Sequence, residues 1–222
     1  MCSPRRSWSE SINDSAVDGP PTDEARPAHP CVAGAATSTP RRRVFVGIAV
    51  AADIAAELAR LARALERFSV RLVPSADLHL TLVPPWNESD IPTAIEKLRH
   101  ALSGCRGFAL SFNHLAYGPT RRQPRMLWAE CAVGDEFSAL RAALLAAYGQ
   151  ADERPFRPHV TLARIRAGGR ALAREVPMDQ TICFAQRVES VELFQSPPPG
   201  SSGYRVLASL PLEPPAELAA PR

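Results

Sequence analysis

Lysine is almost absent from this chain of 222 residues. Lys97 is the only lysine among 26 Lys and Arg residues, so arginine carries nearly all of the positive charge. The formal net charge of +3 is too small to predict nucleic-acid binding by itself. Arginine presents a planar fork of donors that matches phosphate oxygens, but a codon bias toward Arg, Ala and Pro explains its abundance more simply. Any role of an arginine must therefore follow from its position.

Closely spaced cysteines and long apolar runs are missing as well. The five cysteines are scattered without a CxxC pair, which argues against a disulfide framework and against a zinc knuckle. No apolar run approaches the roughly 18 residues of a membrane-spanning helix. Arg5 and Arg6 are followed by a polar, acidic stretch, which is not the pattern of a signal peptide. We therefore expect a cytoplasmic protein without a membrane partner.

Apolar residues are too few at both ends of the chain to form a core. Residues 1–40 contain six prolines and only three Val, Ile, Leu or Phe residues, so burial cannot offset the entropy of ordering them. We predict a disordered tail over 1–40 and a loose tail over 214–222. The folded part is then 41–213, which is long enough for one domain of two closely packed lobes.

The segment between the tails alternates strand and helix patterns. Amphipathic spacing predicts three helices, over 52–67, 90–102 and 135–148. Continuous apolar runs or alternating patterns predict strands, over 44–50, 70–73, 78–83, 107–117, 125–133, 158–166, 181–194 with a break, and 203–212. This mixture predicts an α+β protein.

A short motif occurs twice, and it is the most informative feature of the sequence. His79-Leu80-Thr81-Leu82 recurs as His159-Val160-Thr161-Leu162, each time within a predicted strand. With five histidines and eight threonines in the chain, chance produces two such His-x-Thr pairs roughly once in a hundred sequences. The repeat predicts two pseudo-equivalent lobes, each of which contributes one copy of the motif to a shared cleft.

Strand geometry gives the motif a chemical meaning. Side chains alternate between faces, so His79 and Thr81 share one face while Leu80 and Leu82 enter the core. The second copy presents His159 and Thr161 in the same way. One imidazole can then take a proton from water while the other protonates a leaving oxygen, and the two hydroxyls can donate to a phosphate. This pattern is typical of a phosphodiesterase that opens a cyclic phosphate.

Other interpretations of these residues need weighing. Arg164, five residues after His159, is either a phosphate fork or a solvated arginine at a strand end, because strict alternation places it opposite His159. The histidines could also ligate a metal, but neither motif contains an acidic ligand or a further histidine. Two buried structural histidines would not need a matched threonine each. We therefore predict no metal site, and we assign His29, His100 and His114 no catalytic role.

At these residues the chain resembles the two-histidine phosphoesterase superfamily. Within it the similarity is to RNA 2′,3′-cyclic phosphodiesterases of the LigT and ThpR type, formerly named 2′-5′ RNA ligases. The resemblance covers about 42–212 and is carried by five blocks, at 43–48, 73–82, 125–128, 156–164 and 191–196. It departs from the family at Val83-Pro84-Pro85, where Phe-Leu-Gly is frequent.

The resemblance implies a fold, a reaction and a role for each site residue. The fold is bilobal, with antiparallel sheets around a central cleft and helices outside. His79 is implied as proton donor and His159 as proton acceptor, with Thr81, Thr161 and Arg164 as phosphate-binding residues. The implied reaction is hydrolysis of RNA 2′,3′-cyclic phosphate ends to 2′-phosphomonoester ends by a monomer, without a cofactor.

Two other functions remain open at this point. The same site could cleave or join 2′,5′-phosphodiesters or hydrolyse a small cyclic nucleotide, since a 5′-hydroxyl can take the place of water. The chain could also bind RNA ends without turnover, although binding does not require two proton-transfer groups. Three aromatic residues, Phe45, Trp86 and Trp128, are candidates for stacking a base, and each is as readily explained as part of the core.

Overall fold

The computed structural model describes residues 40–151, 155–201 and 203–214. Nearly all of the predicted N-terminal tail and of the predicted C-terminal tail lie outside these residues, so both tails stay predictions. In the part of the chain that the structure describes, no helix is both long enough and apolar enough to cross a membrane.

The described residues form nine strands and four α-helices. The strands are β1 (Arg42–Ala49), β2 (Val70–Leu72), β3 (His79–Glu88), β4 (Phe108–Gly118), β5 (Met126–Ala132), β6 (His159–Ile165), β7 (Asp179–Val188), β8 (Ser190–Gln195) and β9 (Arg205–Pro211). The helices are α1 (Ala52–Ala62), α2 (Ile91–Ala101), α3 (Asp135–Ala147) and α4 (Gly169–Glu175).

All nine strands belong to one antiparallel sheet whose two halves mirror each other in order. The strand order is β7-β4-β5-β6-β3-β1-β8-β9, with β2 added to the edge of β6. Each half therefore has a central strand that begins with a histidine, β3 or β6, and three further strands beside it. The predicted α+β class and the two lobes are confirmed, and the lobes share one open sheet.

A single residue pair joins β3 to β6 in the sheet register. Leu80 of β3 lies opposite Val160 of β6, and both are at the second position of their motif. Beyond this pair β3 leaves β6, and β2 takes the same edge of β6 from Leu72↔Ala163 to Val70↔Ile165. The two histidines flank this pair, and both line a cleft between the halves.

Both central strands contain a β-bulge at the same position of the motif. In β3 the register shifts between Thr81 and Val83, so that Leu82 is the extra residue. In β6 the register shifts between Thr161 and Ala163, so that Leu162 is extra. A bulge resets the alternation of side chains along a strand. Residues after either bulge therefore face the side opposite to the one that a regular strand would give them.

The helices cover the face of the sheet that lies opposite the motif histidines. One apolar cluster unites residues of all four helices with alternate residues of the central strands. Among them, Leu58, Leu98, Leu144 and Leu172 represent the four helices. Helix α2 begins where Asp90 Oδ1 accepts a hydrogen bond from the Thr93 N–H at 3.0 Å, a standard N-terminal cap.

Helix α4 and the end of β3 differ from the sequence-based expectation. Helix α4 was not predicted, because only Leu172 of its seven residues is buried and the apolar periodicity is weak. Strand β3 continues past Pro84 and Pro85 to Glu88 instead of ending at residue 83. The prolines fit because the register with β1 is irregular there, and a bulge tolerates a missing N–H donor. The predicted break in 181–194 is confirmed, and it falls at Glu189, between β7 and β8.

Leu80→Ala tests whether the junction pair is important for stability. Leu80 is 1% exposed, and removal of a buried leucine side chain usually costs about 2–5 kcal/mol. We expect a loss of that size in the free energy of unfolding, measured by urea denaturation with circular dichroism. Val206→Ala on β9 is the matched control, because Val206 is 49% exposed. Equal losses in the two variants would contradict the prediction.

Candidate active site

A cleft of about 860 Å³ lies at the junction of the two halves of the sheet. All five residues predicted from the motifs line it. These are His79, Thr81, His159, Thr161 and Arg164. The expectation that two distant copies of one motif contribute to a shared cleft therefore agrees with the geometry.

The apolar members of each motif anchor it to the core. Leu80 and Val160 are 1% and 0% exposed, while the histidines and threonines that flank them are half-buried and reach the cleft. Because Leu80 lies opposite Val160 in an antiparallel pair, His79 comes next to Thr161 and Thr81 next to His159. The four polar side chains thus form a diagonal arrangement on one face, with an imidazole and a hydroxyl from each half.

Each imidazole is oriented by a carbonyl oxygen two residues before it. His79 Nδ1 lies 2.7 Å from the oxygen of Asp77, and His159 Nδ1 lies 2.6 Å from the oxygen of Arg157. A carbonyl can only accept, so Nδ1 carries the proton and donates it in both cases. The neutral rings are therefore Nδ1–H tautomers whose Nε2 lone pair is available for chemistry.

Aromatic rings enclose the imidazole of His79. Its centroid lies 4.7 Å from that of Phe45, 5.6 Å from that of Phe194 and 4.8 Å from that of Tyr204. Phe45 and Phe194 stack on each other. Phe45 is only 1% exposed, so it supports His79 and offers little surface to a base.

The indole of Trp128 performs the same task for His159. The two rings stack with centroids 3.9 Å apart and planes inclined by 26°. The indole packs so closely on Gly118 that a Cβ there would lie 2.3 Å from its ring. Trp86, the third aromatic candidate, packs against Tyr148 and donates to Glu88 Oε2. Both tryptophans are therefore engaged in packing within the fold.

Burial lowers the pKa of both catalytic candidates. For His79 and His159 the loss of hydration is the largest effect and moves each pKa below its ordinary value of 6.5. The Nδ1–H bond to a carbonyl opposes this shift in both rings, because it stabilises the imidazolium. The positive charge of Arg164 lowers both pKa values further. Both neutral rings are therefore favoured relative to a free imidazole, so each loses its proton more easily.

The bulge at Leu162 decides where Arg164 points. Without it, Arg164 would face away from His159, five residues earlier. With Leu162 as the extra residue, Arg164 returns to the face of Thr161 and lies opposite Met126 of β5. Its guanidinium contacts the Met126 sulfur at 4.0 Å and lines the cleft. Of the two sequence interpretations, the geometry favours the one that makes Arg164 a phosphate fork.

Comparison with known proteins agrees with this geometry. A family model described as the 2′-5′ RNA ligase superfamily matches residues 71–175. A Bacillus subtilis (strain 168) protein named RNA 2′,3′-cyclic phosphodiesterase is 27% identical over 168 residues, which are 71% of this chain and 92% of the relative.

Solved structures show the same fold. The protein TT0787 of Thermus thermophilus superposes with a TM-score of 0.63 at 23% identity, over 78% of this chain and 99% of that protein. Escherichia coli LigT in complex with 3′-AMP gives a TM-score of 0.60 at 23% identity with the same coverage. The chain is similar to the 2′-5′ RNA ligase superfamily over residues 71–175, which are just under half of its length. Together with the Bacillus subtilis relative, this similarity supports a phosphoesterase function, and the fold is that of the two solved structures.

Asp77 belongs to the site although the sequence did not single it out. It is 7% exposed. Its carboxylate accepts hydrogen bonds from the backbone N–H groups of Gly203 at 2.8 Å and Tyr204 at 3.0 Å. It therefore fixes the segment that brings Tyr204 against His79, while its carbonyl orients His79 itself. The sequence feature that could have indicated it is a single carboxylate two residues before His79, beside an apolar strand.

His100, His114 and Arg157 have structural surroundings, whereas His29 lies outside the described residues. His114 contacts Asp179 and Glu130 on the β4–β5–β7 side, and His100 is exposed on α2. Arg157 pairs with Glu130. Within 40–151, 155–201 and 203–214, no group of three or more His, Cys, Asp or Glu side chains is arranged to hold a metal ion.

The protein without a ligand should have two unusually acidic histidines. Because burial disfavours the charged imidazole, we expect both rings to lose their proton below pH 6.5 as pH rises. Inorganic phosphate in the cleft should raise both pKa values, since an anion stabilises the imidazolium. NMR titration of the Cε1–H signals, assigned with single His→Ala variants, measures both effects. A midpoint above 6.5 for either ring without phosphate would contradict the prediction.

Proposed function

We propose that the protein hydrolyses 2′,3′-cyclic phosphate ends of RNA to 2′-phosphomonoester ends. The observation that carries this proposal is the convergence of His79 and His159 on one cleft, each with Nδ1 bonded to a carbonyl and Nε2 left for the substrate. A reaction that needs one proton taken and one proton given fits this arrangement. Simple binding of an RNA end would need neither.

The proposed mechanism is an in-line displacement at phosphorus. The Nε2 lone pair of neutral His159 accepts a proton from water as the water oxygen forms a bond to phosphorus. The bond from phosphorus to the 3′-oxygen breaks on the opposite side. Protonated His79 gives its Nε2 proton to that oxygen, which leaves a 3′-hydroxyl and a 2′-phosphate. Each positioned acid or base typically contributes a factor of about 10²–10⁴.

The hydroxyls and Arg164 stabilise the phosphate during this step. Thr81 and Thr161 reach the cleft beside the histidines of the opposite motif, where they can donate to the non-bridging oxygens. Arg164 adds a fixed positive charge, and the paired N–H donors of its guanidinium match two phosphate oxygens. Charge that develops on these oxygens is met by donors already in position, so little reorganisation is needed.

Binding of the substrate changes the charges in the cleft and thereby the protonation of the histidines. In the free protein, burial and Arg164 keep both pKa values low, so both rings tend to be neutral. A bound cyclic phosphate brings one negative charge, which favours protonation of the ring closer to the leaving oxygen. An Nδ1–H bond to a carbonyl supports the imidazolium form of both rings alike. We assign the roles of acid to His79 and base to His159 from the resemblance of the two motifs to those of the two-histidine phosphoesterases.

Two observations favour an RNA end over other phosphodiesters. The Bacillus subtilis relative carries the name of an RNA 2′,3′-cyclic phosphodiesterase. The cleft, at about 860 Å³, lies at the upper end of the roughly 300–1,000 Å³ of small-ligand pockets. This size suits the end of a chain better than it suits one small cyclic nucleotide.

A cyclic-ended oligonucleotide tests the proposal directly. We expect wild-type protein to convert it to a product whose phosphate lies on the 2′-oxygen, as shown by resistance to a 3′-specific phosphatase and by ³¹P NMR. His79→Ala and His159→Ala should each lower kcat/KM at least about a hundredfold, since each removes one proton-transfer group.

The matched control for these variants is His100→Ala, because His100 is exposed on α2 and does not line the cleft. It should retain wild-type turnover. Circular dichroism confirms that all three variants are folded. Turnover that survives either cleft substitution, or a product with its phosphate on the 3′-oxygen, would refute the mechanism.

Chelation tests the proposed independence from metal ions. The described residues offer no group of three or more metal-ligating side chains, and a cyclic diester carries only one negative charge to be neutralised. We therefore expect less than about a twofold change in kcat/KM after dialysis against EDTA, an effect no larger than that of a single exposed ion pair. Strong inhibition that added divalent ions reverse would show that metal takes part.

A further inference from the structure

Two arginines lie directly opposite each other at the far end of β6. The register of β2 and β6 pairs Arg71 with Arg164, and both residues line the cleft. Like charges at directly opposed positions of a sheet destabilise it. A pair of this kind is tolerated when an anion lies between or beside the two guanidinium groups.

Nothing acidic neutralises this pair within the described ranges. Neither Arg71 nor Arg164 forms an ion pair with a described carboxylate, in contrast to the ion-paired arginines elsewhere on the surface. The hydrogen bond of Arg71 joins Nη1 to the carbonyl oxygen of Ser201 at 3.4 Å, which is long. Most of the five donors of its guanidinium are therefore available to a ligand.

Arg71 and Arg164 have different neighbours in the cleft. The charge of Arg164 acts on the imidazoles of both His79 and His159. Arg71 instead reaches the cleft wall formed by the segment at Ser201. Because Leu162 is the extra residue of the bulge, the segment from Thr161 to Arg164 spans only two steps of β5, about 7 Å. Arg71 is thus a second guanidinium beside Arg164, on the edge of β6 away from β5.

The cleft continues this positive character toward β1. Its lining includes Arg41, Arg42 and Arg43, all exposed, and no aspartate or glutamate among the described residues. A cavity of about 860 Å³ with five arginines and no carboxylate favours a ligand with more than one negative charge. A nucleoside 2′,3′-cyclic monophosphate has only one.

We propose that Arg71 forms a second anion subsite, which takes the internal phosphodiester next to the cyclic end of the RNA. This inference rests on the proposed function and narrows its substrate class to oligonucleotides of at least two nucleotides. In this arrangement Arg164 holds the reacting cyclic phosphate between the histidines, and Arg71 holds the next phosphate along the chain. The planar fork of arginine suits both tasks.

The test compares two dinucleotides that differ only in one charge. Both end in a 2′,3′-cyclic phosphate, but one has an ordinary internal phosphodiester and the other a neutral methylphosphonate. We expect wild-type protein to prefer the charged dinucleotide by about tenfold or more in kcat/KM, since hydrogen bonds to charged groups are the stronger class. In Arg71→Ala and in Arg71→Gln, which retains more of the side-chain length, this ratio should fall close to one.

The control is Arg63→Ala, which removes an exposed arginine that does not line the cleft. It should retain the wild-type ratio, which separates a local subsite from the general effect of lost charge. An unchanged ratio in both Arg71 variants, or an equal fall of the ratio in Arg63→Ala, would overturn the subsite.

A separate readout distinguishes failure of the subsite from failure of the proposed function. If wild-type protein turned over neither dinucleotide, the proposed reaction would be wrong. Isothermal titration calorimetry with the same two dinucleotides would then still test whether Arg71 binds the internal phosphodiester. Preferential binding of the charged dinucleotide that disappears in Arg71→Ala supports the subsite, and equal affinities in wild-type protein refute it.

Discussion

The antiparallel contact between Leu80 and Val160 is the interaction on which the candidate site depends. It is the one residue pair through which β3 and β6 meet, and it joins equivalent positions of the two motifs. Since neighbouring side chains on a strand point to opposite faces, burial of these two residues turns both histidines into the cleft. A shift of this register by one residue would bury one imidazole and expose core residues. The register is therefore secured by hydrophobic burial on the opposite face of the sheet.

The pseudo-symmetry of the site ends at the motifs themselves. His79 lies among three aromatic rings and near Asp77, whose carboxylate binds the segment just before β9. His159 stacks on Trp128 and lies opposite Glu130. Arg164 after the second motif has a proline, Pro84, as its counterpart in the first. A symmetric scaffold with asymmetric surroundings permits two identical side chains to take different proton-transfer roles, because local charge and burial set each pKa.

Most strands, three of the helices and the identity of the histidine and threonine residues were predictable from the sequence. Period-two and period-3.6 patterns are local, and they report directly which face of an element is buried. Helix α4 escaped because it buries only Leu172. The direction of Arg164 stayed open between two interpretations, because a bulge depends on the partner strand as well as on β6. Arg71 escaped because nothing local connects β2 to the second motif, which lies some ninety residues later.

The sequence by itself determined the chemistry of the site: two imidazoles, two hydroxyls and the apolar residues that turn them to one side of their strands. These properties depend on residue type and on alternation within a few positions. Only the tertiary structure decided that the two motifs meet, that a bulge turns Arg164 toward them, and that Arg71 lies opposite it. Such facts depend on which strands pair and in which register. That choice is made by packing of the whole core, so no local pattern records it.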